Sequence, residues 1–388
     1  MTPQRLRVAW LGHKSPQLGG GIATYSKEVT DGLRRRGVQV VLFHHGVKTE
    51  IQDHGTSVEA VALEAVPLMK ALVFSPPRAK RQLVDRLGKR EFDLVHASFW
   101  FSSLDFDLPK VCHAQGVPII ATFHVAFDQR RSLWGGITSA TYRLYAPVLA
   151  ECDRVIVFSD TQRAILADLD VPERVLTVIP NGVDVDKYRP GESDFKQRLS
   201  ADRLFVYMGR IDSEKNVGSL LDAFMASRLP DGVHLAVVGG GSERRLLQRL
   251  YRDPRIHFLG HIADEQERIS ILRAADAFFL PSSVEGLSLS MLEAMACGAA
   301  TVATDVGSDG DALRGAGIVI DPQNLTAELG LSIRLLLELP GLAADLGRAA
   351  RERVLERFSL AGNVDTLVDL YQEVVAGGAR LASRAGRS

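Results

Sequence analysis

Residues 277–298 read AFFLPSSVEGLSLSMLEAMACG, and the period of the apolar residues changes in the middle of that stretch. Ala277 to Leu280 is a short apolar run closed by Pro281, the pattern of a buried strand that runs out into a loop. From Ser288 onward, Leu289, Leu292, Met295 and Ala296 recur three or four residues apart, which is helical spacing, and Gly298 supplies a stop. Strand, loop and helix in that order form the repeating unit of a parallel α/β sheet. The junction also carries chemistry. Glu285 stands in the loop and Glu293 on the second helical turn, an E-x7-E spacing. The N–H groups of Ser288, Leu289 and Ser290 open the helix, where no intrahelical carbonyl reaches them, so they offer a seat for phosphate. Carboxylates on either side of such a seat can grip the hydroxyls of a sugar and a ribose around one diphosphate. The spacing alone is also that of an amphipathic helix with a capping serine and a surface glutamate.

The same unit recurs in both directions. Downstream, Thr301–Thr304 and Gly317–Ile320 are strands; upstream, so are Leu204–Met208, His234–Val238 and Ile256–Leu259, with Leu220–Phe224 inside a helix. Tyr188 to Ala201 breaks the rhythm with Pro190, Gly191 and mixed charges and reads as a linker. Before it the cycle runs again through Arg7–Leu11, Val38–Phe43, Asp93–His96, Val117–Phe123, Arg154–Phe158 and Val175–Ile179. The first of these strands leads to Gly19-Gly20-Gly21 and a helix with Ile22, Tyr25, Val29 and Leu33 on one face. Leu360, Val364, Leu367, Val368 and Tyr371 mark a last helix over Leu360–Val375. Two doubly wound Rossmann-like domains facing across a cleft are therefore expected. The first spans 1–187 with the C-terminal helix 359–376 returning to it, and the second spans 188–358.

Length and charge agree with this. A chain of 388 residues exceeds one ordinary core. Its net charge of −1 gives no electrostatic case for nucleic acid. Cys112, Cys152 and Cys297 are scattered without a C-x-x-C pair, which argues against a zinc site or a disulfide framework. Val8–Leu11 is too short for a signal peptide, and no run approaches the about 20 apolar residues of a spanning helix. A soluble, cytoplasmic protein is expected.

Ligands of parallel sheets gather at the carboxyl ends of the strands, where His96, His124, Ser159 and Asn181 stand. Gly209-Arg210-x4-Lys215-Asn216 puts two cations just past a strand end, a flat fork and a point charge for phosphate oxygens, or else two ordinary surface cations. The glycines at 19–21 and Gly239-Gly240-Gly241 permit close backbone approach to an anion, but neither is G-x-G-x-x-G. Phe43-His44-His45 stands where a nicotinamide enzyme needs an acid closing its second strand, so that reading fails. The pairs Asp105-x-Asp107, Asp168-x-Asp170 and Asp184-x-Asp186 are discounted as metal sites, because such pairs arise by chance among 47 acids.

Taken in order, these motifs resemble the retaining glycosyltransferases of family 4, which have the GT-B fold. The resemblance runs from Pro16-x2-Gly19-Gly20-Gly21-Ile22 through Asp93-Leu-Val-His96, Thr122-Phe-His124 and Ile179-Pro-Asn-Gly-Val-Asp184. It continues through Gly209-Arg210-x4-Lys215-Asn216, Val238-Gly-Gly-Gly-Ser242 and Phe258-Leu-Gly260 to the stretch 281–298 and Ala303-Thr-Asp-Val-Gly307. It implies transfer of a hexose from a UDP- or GDP-hexose to an acceptor hydroxyl with retention, giving an α-glycoside. Arg210 and Lys215 would hold the donor diphosphate, Glu285 the transferred sugar, and Glu293 the ribose. The backbone of Ser288, Leu289 and Ser290 would add phosphate contacts, and that of His261 and Ile262 would face the base. Gly20 and Gly21 would cover the diphosphate, and His124 would touch donor sugar or phosphate. Gly19, Asn181, Gly239 and Gly240 complete the expected donor set. No metal or other cofactor is implied, since the two cations do an ion's work. The rivals are a GT-B-fold UDP-sugar epimerase, which needs acids or bases around C2 of the sugar, and a non-catalytic nucleotide-sugar binder, in which gaps in the set are expected.

For the acceptor the family pattern says little, leaving a lipid, a glycan or a small molecule open. His96, Trp100, Arg130 and Arg131 are candidate contacts. Pro76–Arg90 holds Arg78, Lys80, Arg81, Arg86, Lys89 and Arg90 against one acid, Asp85, with Ala79, Leu83, Val84 and Leu87 on one helical face. Beside the apolar run Val66–Phe74, such a helix is either a foot on the inner face of an anionic membrane, through Arg78, Lys80 and Arg81, or an ordinary helix packed on its sheet.

Overall fold

The computed structural model describes residues 6–12, 21–46, 50–53, 59–67, 73–89, 91–99, 102–127 and 133–385. It forms two compact units, Met1–Val125 with Gln129–Pro180 and Leu360–Ser388, and Ala126–Asp128 with Asn181–Ser359.

The strands of the first unit are β1 (Arg7–Gly12), β2 (Gln39–Gly46), β3 (Glu50–Asp53), β4 (Glu59–Glu64), β5 (Val66–Pro67), β6 (Val73–Phe74), β7 (Leu94–Phe99), β8 (Ile119–Phe123), β9 (Arg154–Val157) and β10 (Leu176–Val178). Eight of them make a sheet in the order β10-β9-β8-β7-β1-β2-β4-β3, parallel except for β3, which runs antiparallel along β4 at the edge. Val8, Ala9, Trp10, Leu94, Val95, Ile119 and Ile120 are buried, the expected state of a sheet covered on both faces and the reason these strands are continuous apolar runs. Strands β3 and β4 were not legible, because β3 has only four residues and both mix acids with apolar residues. The apolar stretch Val66–Phe74 contributes the ribbon β5–β6 at its ends.

The helix Leu360–Ala385 belongs to this unit and lies along Gly21–Arg35. A Cβ on Gly32 would come within 2.8 Å of Val364, so the missing side chain lets the two helices approach. Arg36 pairs with Asp365 across the same seam. The basic helix forms over Pro77–Gly88 with Ala79, Leu83 and Leu87 buried. The apolar face of this helix is therefore taken up by the fold, as in an ordinary helix packed on its sheet. Arg78 and Arg81 stay exposed, and Lys80 pairs with Asp107 at 2.6 Å. Among the described residues no helix is long and apolar enough to cross a membrane.

The second unit has β11 (Arg203–Met208), β12 (Val233–Val238), β13 (Ile256–Gly260), β14 (Ala277–Leu280), β15 (Ala300–Thr304) and β16 (Ile318–Ile320). They form one parallel sheet in the order β13-β12-β11-β14-β15-β16. The winding reverses between β11 and β14, and a doubly wound sheet takes its ligand at the carboxyl ends flanking such a reversal. The segment 188–201, expected as a linker, is integral to this unit. Tyr188 is buried, Ser193 Oγ donates to the Ser270 carbonyl at 2.7 Å, and Lys196 pairs with Asp276 at 2.6 Å. The chain enters and leaves the unit at 180/181 and 359/360, where the Val183 N–H donates to the Phe358 carbonyl at 2.8 Å.

Candidate active site

The loops after β11 and β14 are laced together. After β11 the chain passes Gly209-Arg210 and a short turn, Ser213–Lys215, to Asn216, which is left-handed at φ 49. Asn216 Nδ2 donates to the Pro281 carbonyl at 2.9 Å and to Ser283 Oγ at 2.6 Å, while the Ser283 N–H donates to the Glu214 carbonyl at 2.7 Å. These bonds bring Lys215 Nζ to 2.5 Å from Glu285 Oε1, and Ser282 Oγ donates to the same oxygen at 2.7 Å. Both side chains of the pair are only 13% exposed, so a change in either partner is felt by the other through a poorly screened field. Arg210 is half exposed and pairs with Asp212 and, at 2.7 Å, with Glu214. Its backbone is fixed by the Tyr207 hydroxyl, which donates to the Arg210 carbonyl.

The glycine loop after β12 backs this arrangement. Gly239 has φ 138, and a Cβ there would lie 1.8 Å from the Gly209 carbonyl oxygen, so no larger residue fits. The Ile211 N–H donates to the Gly240 carbonyl at 2.8 Å, and the Ser242 N–H and Oγ both donate to Asp212 Oδ1 at 2.8 Å. The Gly239 N–H donates to the Gly260 carbonyl at 2.8 Å, which carries the lacing to β13. Beyond it His261 is exposed and Ile262 half-buried, with the Ile262 carbonyl accepting from Arg268 at 3.0 Å.

The helix after β14 is Leu289–Ala296, capped by Ser288, whose Oγ accepts from the Met291 N–H. One expectation needs correction. The Ser288 N–H is not open to a ligand, because it donates to Asp309 Oδ1 at 2.8 Å. Leu289 and Ser290 are the first helical residues, so no intrahelical carbonyl reaches their N–H groups. Glu293 is half-buried on the second turn. Asn181 donates through Nδ2 to the Leu287 carbonyl at 2.6 Å, so its amide braces the Glu285 loop.

In the first unit, Gly21 starts the helix Gly21–Arg35, and His124 follows β8 half-buried, its ring edge-on to Tyr25 at 4.8 Å between centroids. Gly19, Gly20, Trp100, Arg130 and Arg131 lie outside the described residues. His96 is a core residue, which corrects its candidacy as an acceptor contact. It is fully buried, 2.5 Å from the Tyr371 hydroxyl, 2.7 Å from Thr122 Oγ1, and tilted against the Trp10 ring at 4.1 Å between centroids. Burial, with the field of His124, pulls its pKa down to about 3, so the imidazole is neutral. A cavity at the carboxyl ends of β1, β2, β4 and β7, lined by His44, His45, Ser98, Ser102 and Asp105, was not foreseen; the His44-His45 pair at a strand end was its only signal. Among the described residues no three His, Cys, Asp or Glu side chains are placed to hold a metal ion.

The chain matches the family model Glycosyltransferase Family 4 over residues 19–187 and the model Glycosyl transferases group 1 over 202–338. It is 29% identical over 419 residues to a D-inositol 3-phosphate glycosyltransferase of Saccharomonospora viridis, covering 96% of this chain and 95% of that protein. It is also 29% identical over 300 residues to a glycogen synthase of Mycobacterium tuberculosis, covering 74% of this chain and 70% of that one. Among solved structures it resembles the sucrose-phosphate synthase of Thermosynechococcus elongatus (TM-score 0.78, 22% identity, 96% of this chain and 100% of that one). It also resembles Anabaena HepE in complex with UDP-glucose (TM-score 0.75, 18% identity, 95% and 100%), and at these identities the likeness concerns the fold.

Proposed function

Because the chain belongs to the family 4 glycosyltransferases of the GT-B fold, we propose that the loops after β11 and β14 bind a UDP- or GDP-hexose and pass the hexose to an acceptor hydroxyl with retention. The observation that carries this reading is the Lys215–Glu285 pair at the reversal of the second sheet. With no ligand, ammonium and carboxylate neutralise one another. An arriving diphosphate draws Lys215 toward its oxygens and frees Glu285 Oε1 to accept from the hydroxyls of the hexose. Arg210, half exposed and anchored only through neighbouring acids, swings to the same phosphates. As the glycosidic bond breaks, negative charge builds on the leaving diphosphate, and the two cations with the Leu289 and Ser290 N–H groups stabilise it where it forms. Glu293 takes the ribose, and Gly240 and the backbone at His261 and Ile262 take the rest of the nucleotide. His124, Gly20 and Gly21 are assigned to the donor by the family resemblance. No carboxylate stands out in the sequence as a covalent nucleophile, so by analogy with the family we assign front-face attack with the leaving phosphate as base. The cations take the role a divalent ion has elsewhere, so transfer proceeds with chelator present. The names of the relatives support a sugar or polyol hydroxyl as acceptor.

Arg210→Ala, Lys215→Ala and Glu285→Gln test the reading through steady-state transfer from UDP- and GDP-hexoses. Each is predicted to lower kcat by roughly 100-fold or more, as loss of a transition-state contact does. Unimpaired transfer in both Arg210→Ala and Glu285→Gln would sink it.

A further inference from the structure

The turn after β15 packs on the loop that carries Glu285. The Ser308 N–H donates to the Gly286 carbonyl at 2.7 Å, and the Ser288 N–H donates to Asp309 Oδ1 at 2.8 Å. Gly307 between them is left-handed at φ 55, and a Cβ there would lie 2.0 Å from the Glu285 carbonyl oxygen. Three consecutive residues thus brace 285–288, and Asp309 alone does so with its side chain.

That carboxyl is fully buried, and its second oxygen, Oδ2, has no hydrogen-bond partner. One N–H is far less than an ionised carboxylate needs away from water. The charge balance points the same way. Asp309 lies in the fields of Glu285 and Lys215, and the one ammonium is already committed to Glu285 at 2.5 Å. When two carboxylates share one cation, the more deeply buried one keeps its proton. We propose that Asp309 is a positioning residue that works as a neutral carboxylic acid, holding the Ser288 N–H, and with it the Glu285 loop and the first turn of Leu289–Ala296, without setting a negative charge beside the incoming diphosphate. This rests on the donor-site reading above.

Burial first, and then the Glu285 charge, hold the Asp309 carboxyl well above the ordinary carboxylate range, against the Ser288 N–H and Lys215, which pull it down. The other charged groups nearby on its own turn are Asp305, which pairs with Arg314 at 3.3 Å, and Asp311. Because ionised Asp309 and a bound diphosphate repel, raising the pH through the Asp309 titration weakens nucleotide binding.

The test is calorimetric binding of UDP and GDP from about pH 6 to about pH 9 to the native protein, D309N and D309A, with urea unfolding of each from about pH 4 upward. D309A is predicted to lose roughly tenfold in affinity, and D309N, whose amide oxygen accepts the Ser288 N–H, to recover most of that loss. The affinity of the native protein relative to D309N is predicted to fall as pH rises; the ratio cancels titration of the nucleotide itself. A carboxyl with a raised folded pKa gives stability that is complete below its unfolded value and lost as pH climbs toward the folded one. The native protein therefore loses stability relative to D309N with rising pH. Nucleotide affinity in D309A equal to native overturns the positioning role, and D309N as weak as D309A at a pH-independent ratio overturns the neutral acid. Should D309A fail to fold, the D309N comparison decides alone. If the native protein binds neither nucleotide, the donor-site reading fails, while the unfolding curves still decide the state of Asp309.

Discussion

Lys215 and Glu285 show how a spacing becomes a site. Seventy residues apart in sequence, they meet because Asn216 and Ser283 tie their loops together. The sequence makes each partner visible as a motif member but cannot show the contact, which depends on the reversal between β11 and β14. Asp309 was invisible for another reason. It is one acid among several in Thr304-Asp-Val-Gly-Ser-Asp-Gly-Asp311, and only burial sets it apart. Asn181 and His96 were visible as polar residues at strand ends, yet one braces a loop and the other a core. At this scale Gly307→Ala is the sharpest probe outside the charged groups. Its left-handed backbone and the Glu285 carbonyl at 2.0 Å leave no room for a methyl. The substitution is predicted to cost about 1–3 kcal/mol in urea unfolding and to weaken nucleotide binding as the Glu285 loop shifts.

At the level of elements, the strands with continuous apolar runs were legible to within about three residues at either end, because a doubly covered parallel sheet demands such runs. The edge strand β3 and its neighbour β4 were not, since β3 has only four residues and acids interrupt or bound the apolar residues of both. The segment 188–201 was misread as a linker because proline, glycine and mixed charge mark irregular backbone, and irregular backbone can still pack. The basic helix Pro77–Gly88 shows the limit of an amphipathic pattern, which reveals a buried face but not what buries it. The contact between Leu360–Ala385 and the first sheet runs through Tyr371 and His96, and it sets a pH dependence. His96 has a folded pKa lowered from 6.5 to about 3, so the fold opposes its protonation. The neutral form is common to folded and unfolded states above about pH 6.5, and stability is then lost as pH falls from there toward 3, by a few kcal/mol in all. Urea midpoints measured down that range are predicted to fall less in His96→Gln. Tyr371→Phe removes the hydroxyl beside His96 Nδ1 and is predicted to cost about 1–2 kcal/mol at neutral pH.

Over the whole molecule, two doubly wound units and the return of the last helix to the first were legible from the repeating strand–loop–helix cycle, and the ordered motifs specified the family. The acceptor was not, since no motif fixes it. The assignment of an ion's work to Arg210 and Lys215 has a direct consequence: transfer is predicted to be unchanged by EDTA and not stimulated by added Mg²⁺ or Mn²⁺, as measured by nucleoside diphosphate release. A chelator-sensitive rate restored by one ion would refute it. The central claim is tested most directly by incubating the native protein and Glu285→Gln with UDP- and GDP-hexoses and a panel of sugar and polyol acceptors, and reading the product by mass and anomeric NMR. The account predicts an α-glycoside and one equivalent of nucleoside diphosphate from the native protein, with both reduced roughly 100-fold or more in Glu285→Gln. An inverted glycoside, an epimerised nucleotide sugar, or equal product from Glu285→Gln would contradict it.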